Sequence, residues 1–149
     1  MFDIAPGESD AACITDDLNA SIAVQSHMTA TRYNHDLESA LAAVLETGTS
    51  AEWINDGNEE LQAATIVFAK AFIESLPAGF QNPAIEPEPD GDISIEWYRG
   101  KRKTLTASIS PVGRIAWAAL IGSEDPRGSV NFTGKTPETI LFHLSRILT

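Results

Sequence analysis

One cysteine, Cys13, occurs in the 149-residue chain. It cannot form an internal disulfide, which fits a reducing cytoplasm and excludes a disulfide-stapled secreted fold. No apolar run approaches the about 18 residues that a membrane-spanning helix needs. The start, Met1-Phe2-Asp3-Ile4-Ala5-Pro6, has neither the basic region nor the apolar stretch of a secretory signal. A cytoplasmic protein with no membrane contact is therefore expected. Signatures of chemistry are missing as well. The histidines are His27, His35 and His143, and no H-x-x-x-H, C-x-x-C or H-E-x-x-H spacing is present, so no metal site is expected. There is no G-x-S-x-G, no phosphate-binding G-x-x-x-x-G-K-[ST] and no G-x-G-x-x-G. The expectation is a protein without catalytic residues and without cofactors.

Basic residues are scarce over most of the chain. Residues 1–98 hold 18 Asp and Glu against Arg32 and Lys70, a net charge of −16. Residues 99–149 hold eight Lys and Arg against Glu124, Asp125 and Glu138, a net of +5. A chain of net charge −11 divided in this way repels nucleic acid and anionic membrane over most of its surface and attracts basic proteins.

What is present reads as one α+β domain behind an acidic arm. Residues 1–33 lack sustained periodicity and are expected to be poorly ordered or draped over the body, with a short helix possible at 17–26. The domain is expected over 34–149. Leu37, Leu41, Val44 and Leu45 predict a helix over 35–47, capped by Asn34 and stopped by Gly48. A short turn holds Trp53 and Ile54. A second helix is predicted over 59–76, capped by Asn58, with Leu61, Thr65, Phe68, Phe72 and Leu76 on one face. Ile66, Val67 and Ile73 widen that face, as in a helix buried on more than one side. Pro83, Pro87 and Pro89 then stiffen an extended stretch that ends in the Asp90-Gly91 turn.

Beyond it the period becomes two. Ile93, Ile95 and Trp97 alternate with Ser94, Glu96 and Tyr98, and similar alternation recurs through 105–109 and 115–121 and briefly at Val130 and Phe132. This predicts a four-stranded antiparallel meander over 92–133. A final helix over 137–148, with Thr136 as cap and Pro137 in the first turn, presents Ile140, Leu141, Leu144, Ile147 and Leu148 to one sheet face. His143 falls on its solvent side. The other sheet face carries Glu96, Tyr98, Thr104, Thr106, Ser108, Ala116, Ala118 and Leu120, flat and weakly polar, a docking surface for the arm or a partner.

The run Pro87-Glu88-Pro89-Asp90-Gly91-Asp92-Ile93-Ser94-Ile95-Glu96-Trp97, preceded by Leu76-Pro77, and the later Pro137-Glu138-Thr139-Ile140-Leu141 resemble a family of small bacterial proteins. That family shares an acidic Pro-Asp-Gly turn, an I-x-W strand, a meander with a glycine-containing hairpin and a P-E-x-I-L helix. The resemblance covers about residues 60–149 and implies the fold; the family carries no assigned activity.

Three local features are candidates for function. Glu86, Glu88, Asp90, Asp92 and Glu96 form the densest acidic group, read as a solvated loop because the spacing of a calcium loop is missing. Tyr98, Arg99, Lys101, Arg102 and Lys103 form a basic hairpin with an aromatic neighbour, suited to a partner protein or to nucleic acid, or simply to a solvated tip. Trp53 is either a hydrophobic plug or an exposed contact. The function expected is a non-catalytic acidic module that binds a basic surface on a partner protein, as an inhibitor, an antitoxin-like protein or an accessory protein. The alternatives are nucleic-acid contact through 99–103 and an enzyme with a site assembled from His143, Glu96 and Arg114.

Overall fold

The protein was analysed as a computed structural model, which describes residues 36–80 and 83–149. The arm at 1–33, the helix at 17–26, the Asn34 cap, Cys13, His27 and His35 lie outside the described residues. Helix α1 covers 36–48 and buries Leu41 and Val44. The helix ends at Gly48, its last residue. A Cβ at Gly48 would sit 2.6 Å from the Leu61 Cβ, so the glycine permits close packing of the next segment, whose Leu61 amide bonds the Gly48 carbonyl at 2.9 Å.

The turn at Trp53 is a one-turn helix, α2 (Ala51–Asn55), capped by the Ser50 hydroxyl, which accepts from the Trp53 amide at 3.1 Å. Helix α3 runs Ala63–Glu74 and starts four residues later than its periodicity implied. Asn58 is not its cap, because the Asn58 side-chain amide donates to the Trp53 carbonyl and thereby holds an extended connection. The buried face of α3 is Thr65, Ala69, Phe72 and Ile73, while Val67 is 64% exposed, so the helix is covered on one side only.

The sheet has five strands, not four, in the order β1-β2-β3-β4-β5, every neighbouring pair antiparallel. They are β1 (Ala84–Pro87), β2 (Ile93–Gly100), β3 (Lys103–Ile109), β4 (Arg114–Ile121) and β5 (Arg127–Asn131). The additional strand is the proline-stiffened stretch. Pro83 and Pro87 cannot donate ladder hydrogen bonds, which hides the strand from pattern reading, yet an edge strand tolerates them. Ile85 pairs with Ile95 and Pro87 with Ile93.

The inner face carries Ile93, Ile95, Trp97, Leu105, Ala107, Ile109, Ile115, Trp117 and Ala119, all buried. Helices α3 and α4 (Glu138–Leu148) pack on it, contributing Phe72, Ile73, Ile140, Leu144 and Ile147. Phe72 meets Trp97 edge to face at a centroid distance of 6.4 Å and Phe132 at 6.1 Å. A fully buried side chain of this size contributes about 2 kcal/mol by removal from water. Thr136 does not cap α4: its hydroxyl meets Ser75 Oγ at 2.8 Å, and Ser75 Oγ already donates to the Phe72 carbonyl. Thr136 is therefore the donor and ties the start of α4 to the end of α3, leaving Pro137 at the cap position. No helix among the described residues is long and apolar enough to cross a membrane.

Candidate functional site

The meander separates the candidate residues by end and by face. The β1–β2 turn (88–92) closes one end of the sheet. The Arg99–Lys103 hairpin closes the other, an eight-residue strand away, roughly 25 Å. Acidic residues gather at the first end. Glu59 donates its amide to the Pro89 carbonyl at 2.8 Å, which docks the connection before α3 on the turn. The Trp53 indole N–H donates to the Glu59 carbonyl at 2.8 Å from the other side. Glu52, Asp56, Glu59, Glu60 and Asp90 are exposed there, beside Ile54, which is 41% exposed. Trp53 itself is half-buried and lines a shallow groove of about 490 Å³ between α1 and β1, with Ala43, Val44, Ile85 and Pro87. Its indole N–H ties down the acidic connection, and it lies at the opposite end of the sheet from the basic hairpin.

Within the turn, carboxylate oxygens of Glu88, Asp90 and Asp92 lie within 4.8 Å of one another. Asp90 accepts from the Asp92 amide at 3.0 Å, and Glu88 accepts from the Ser108 hydroxyl at 2.9 Å. Partial desolvation, together with the charges of Asp90 and Glu88, pushes the Asp92 carboxyl up to about 6. Oxygen donors of this kind suit a hard cation, which would need several further ligands from water. Ser108 shows that the cluster leans onto the outer face of the sheet, a placement that β1, unread in the sequence, makes possible.

At the other end Arg99, Lys101, Arg102 and Lys103 are all exposed. The hairpin is irregular: Tyr98 pairs with Thr104, but Gly100 pairs with Lys103, so a bulge sits between them. Arg102 is not a free tip charge, because its Nε donates to the Gly122 carbonyl while the Gly122 amide returns a bond of 2.9 Å to the Arg102 carbonyl. Tyr98 stands on the outer face, 64% exposed. Beyond the hairpin, Arg146 grips Glu124 at 3.0 and 3.1 Å, and Arg127 reaches Asp125 at 3.3 Å. Among the described residues these cations pair with the C-terminal carboxylates Glu124 and Asp125.

The residues of the enzyme alternative do not meet. Glu96 and Arg114 stand on the outer face of the sheet. His143 is half-buried on the opposite side, its ring 5.1 Å from that of the inward Trp117, so it is not on the solvent side of α4. Burial and then the Arg146 charge hold the imidazole below its ordinary value, with Glu124 pulling the other way. Its buried Nδ1 has no hydrogen-bond partner among the described residues.

Comparisons with protein-family models, with curated proteins and with solved structures return no match, so the functional reading rests on geometry and chemistry.

Proposed function

We propose that the protein is a non-catalytic binding module whose acidic end engages a basic surface of a partner protein. The observation that supports this reading is the segregation of charge along the sheet. Exposed carboxylates of the connection before α3 and of the β1–β2 turn form one end, while the four cations of the hairpin stand at the far end of β2. Unneutralised like charges destabilise the fold that carries them; at Asp92 partial desolvation first, and then the charges of Asp90 and Glu88, raise the carboxyl. A basic partner relieves that repulsion and is steered toward the site, chiefly by faster association. Ile54, exposed beside the carboxylates, supplies an apolar contact at the same place. An inhibitor, an antitoxin-like protein or an accessory subunit of a basic protein each fits this chemistry.

The test is affinity capture from nuclease-treated extract of the protein's own host, at about 0.05 M and about 0.5 M salt, where screening lengths differ severalfold. Wild-type chain is compared with a Glu59→Gln, Glu60→Gln, Asp90→Asn triple variant. A basic protein held by the wild type at low salt, and lost at high salt or with the variant, supports the proposal. Capture unaffected by both changes sinks it. The nucleic-acid alternative draws on exposed Tyr98 beside the hairpin cations, and is favoured if untreated extract yields nucleic acid that a Lys101→Ser, Lys103→Ser variant releases.

A further inference from the structure

The outer face of the sheet is the largest feature that the proposed function leaves unused. Glu96, Tyr98, Ala116 and Ala118 are exposed on it, and α3 and α4 pack on the other face. Its side chains fall into cross-strand rows. One row runs Tyr98–Thr104–Leu120, the next Glu96–Thr106–Ala118–Arg127, and the next Ser94–Ser108–Ala116–Ser129. One step further, beyond the Ile93–Ile109 pair, Asp92 and Arg114 flank Ser110, whose amide bonds the Arg114 carbonyl at 3.0 Å.

The charges divide along the line of β3. On the β1–β2 side stand Glu86, Glu88, Asp92 and Glu96; on the β4–β5 side stand Arg114 and Arg127. Arg114 donates to the Ser129 hydroxyl at 2.6 Å and has no carboxylate within salt-bridge distance among the described residues, while Asp125 holds Arg127 at 3.3 Å. Between them lies a strip of small side chains, Thr104, Thr106, Ser108, Ala116 and Ala118. A surface with opposite charges on either side of a flat centre is complementary to itself under a suitable two-fold rotation.

We infer that this face binds a second copy of the chain, face to face, about a two-fold axis running along β3. That axis carries β2 of one copy over β4 of the other and β1 over β5. Tyr98 then lies over Leu120 of the second copy, which gives the exposed ring an apolar partner and does so twice. Ser94 lies over Ala116, and Glu96 over Ala118 with Arg127 alongside. Asp92, beside Glu88, lies over Arg114, where a cation relieves the crowding of the carboxylates. A two-fold axis across the strands instead sets acidic strands over acidic strands and loses each of these pairings. Packed sheets cross at about 30°, an offset that the long Arg114 and Arg127 side chains span.

Size sets the strength. Five strands spaced about 4.8 Å apart, each about seven residues long, give a flat footprint of roughly 500 Å² per copy. A standard interface takes about 800 Å² per partner. The like-charged ends of the two copies also come side by side, so the dimer is reversible. The same geometry joins the two acidic ends into one wider surface, although the dimer does not depend on that surface having a partner.

Sedimentation equilibrium of the full chain between about 1 µM and about 1 mM, the range of weak affinities, tests the proposal. A concentration-dependent monomer–dimer equilibrium is expected. Arg114→Glu alone and Asp92→Arg alone each weaken it at least about tenfold. An equimolar mixture of the two variants restores the dimer, because each carries the complement of the other, a rescue that misfolding cannot imitate. Tyr98→Asp, checked by circular dichroism, serves if either charge variant fails to fold, and is expected to abolish dimerisation. A chain that stays monomeric throughout overturns the proposal, and so does a dimer indifferent to these substitutions.

Discussion

Trp53 and Glu59 are joined by a hydrogen bond of 2.8 Å from the indole N–H to the backbone carbonyl, and the amide of the same Glu59 donates to Pro89 at 2.8 Å. One tryptophan thus positions a chain segment that has no helix or strand of its own, and with it the acidic end. Trp53→Phe keeps an aromatic ring and deletes the donor. It should cost about 1 kcal/mol. Hydrogen exchange at the Glu59 amide should quicken by more than at core amides of β3, and equal acceleration at both places would contradict a local role.

Asp92 makes stability depend on pH. Its folded value, about 6, lies above the ordinary 3.8, so the folded protein binds this proton more tightly than the unfolded chain. Ionisation therefore opposes folding. The penalty is absent below about pH 4, grows through about pH 4–6 and is complete above about pH 6. Allowing for solvent screening of a largely accessible group, it amounts to about 1 kcal/mol. Urea unfolding at pH 5 and pH 7.5 should show the wild type losing that share as pH rises, and Asp92→Asn should remove this contribution.

Gly113 combines two constraints in the β3–β4 turn. Its φ is +84°, and an added Cβ would lie 2.8 Å from the Phe68 ring. Gly134 has φ +100° but nothing within 4 Å. Gly134→Ala should cost about 1 kcal/mol of backbone strain, and Gly113→Ala about 2 kcal/mol or more, since Phe68 must also move. Equal losses in thermal unfolding would show that the ring yields freely.

The Arg146–Glu124 pair can be followed through His143. The Arg146 hydrogen bonds and charge hold the Glu124 carboxyl below the usual carboxylate range. Arg146→Ala should raise Glu124 toward that range and also raise His143, which loses a neighbouring cation. Glu124→Gln should move His143 the opposite way. NMR titration of the imidazole carbon shifts reads both, and shifts of the same sign would refute the arrangement.

Periodicity made much of this fold legible. Period-two alternation identified β2, β3 and β4 and assigned Trp97 and Trp117 inward, because side chains of a half-buried antiparallel strand must alternate between core and water. The stripe Ile140, Leu144 and Ile147 likewise marked the buried face of α4. Pattern failed where a residue served a distant neighbour. Thr136 resembled a cap but bonds Ser75; Asn58 resembled a cap but holds Trp53. Pro83 and Pro87 hid β1 because their cost disappears only at a sheet edge, and an edge exists only once the sheet has formed.

The candidate surfaces divide in the same way. The sequence by itself determined the charge imbalance, the basic hairpin and the small residues of the outer sheet face, since composition and alternation are local properties of the chain. Only the tertiary structure decided that Trp53 and the hairpin stand at opposite ends, that His143 is separated from Glu96 and Arg114 by the sheet, and that Asp92 and Arg114 occupy matching corners of one face. The physical reason is that cross-strand register is fixed by the burial of one sheet face and by the turns, so neighbours in space are chosen by the packed whole and not by sequence separation.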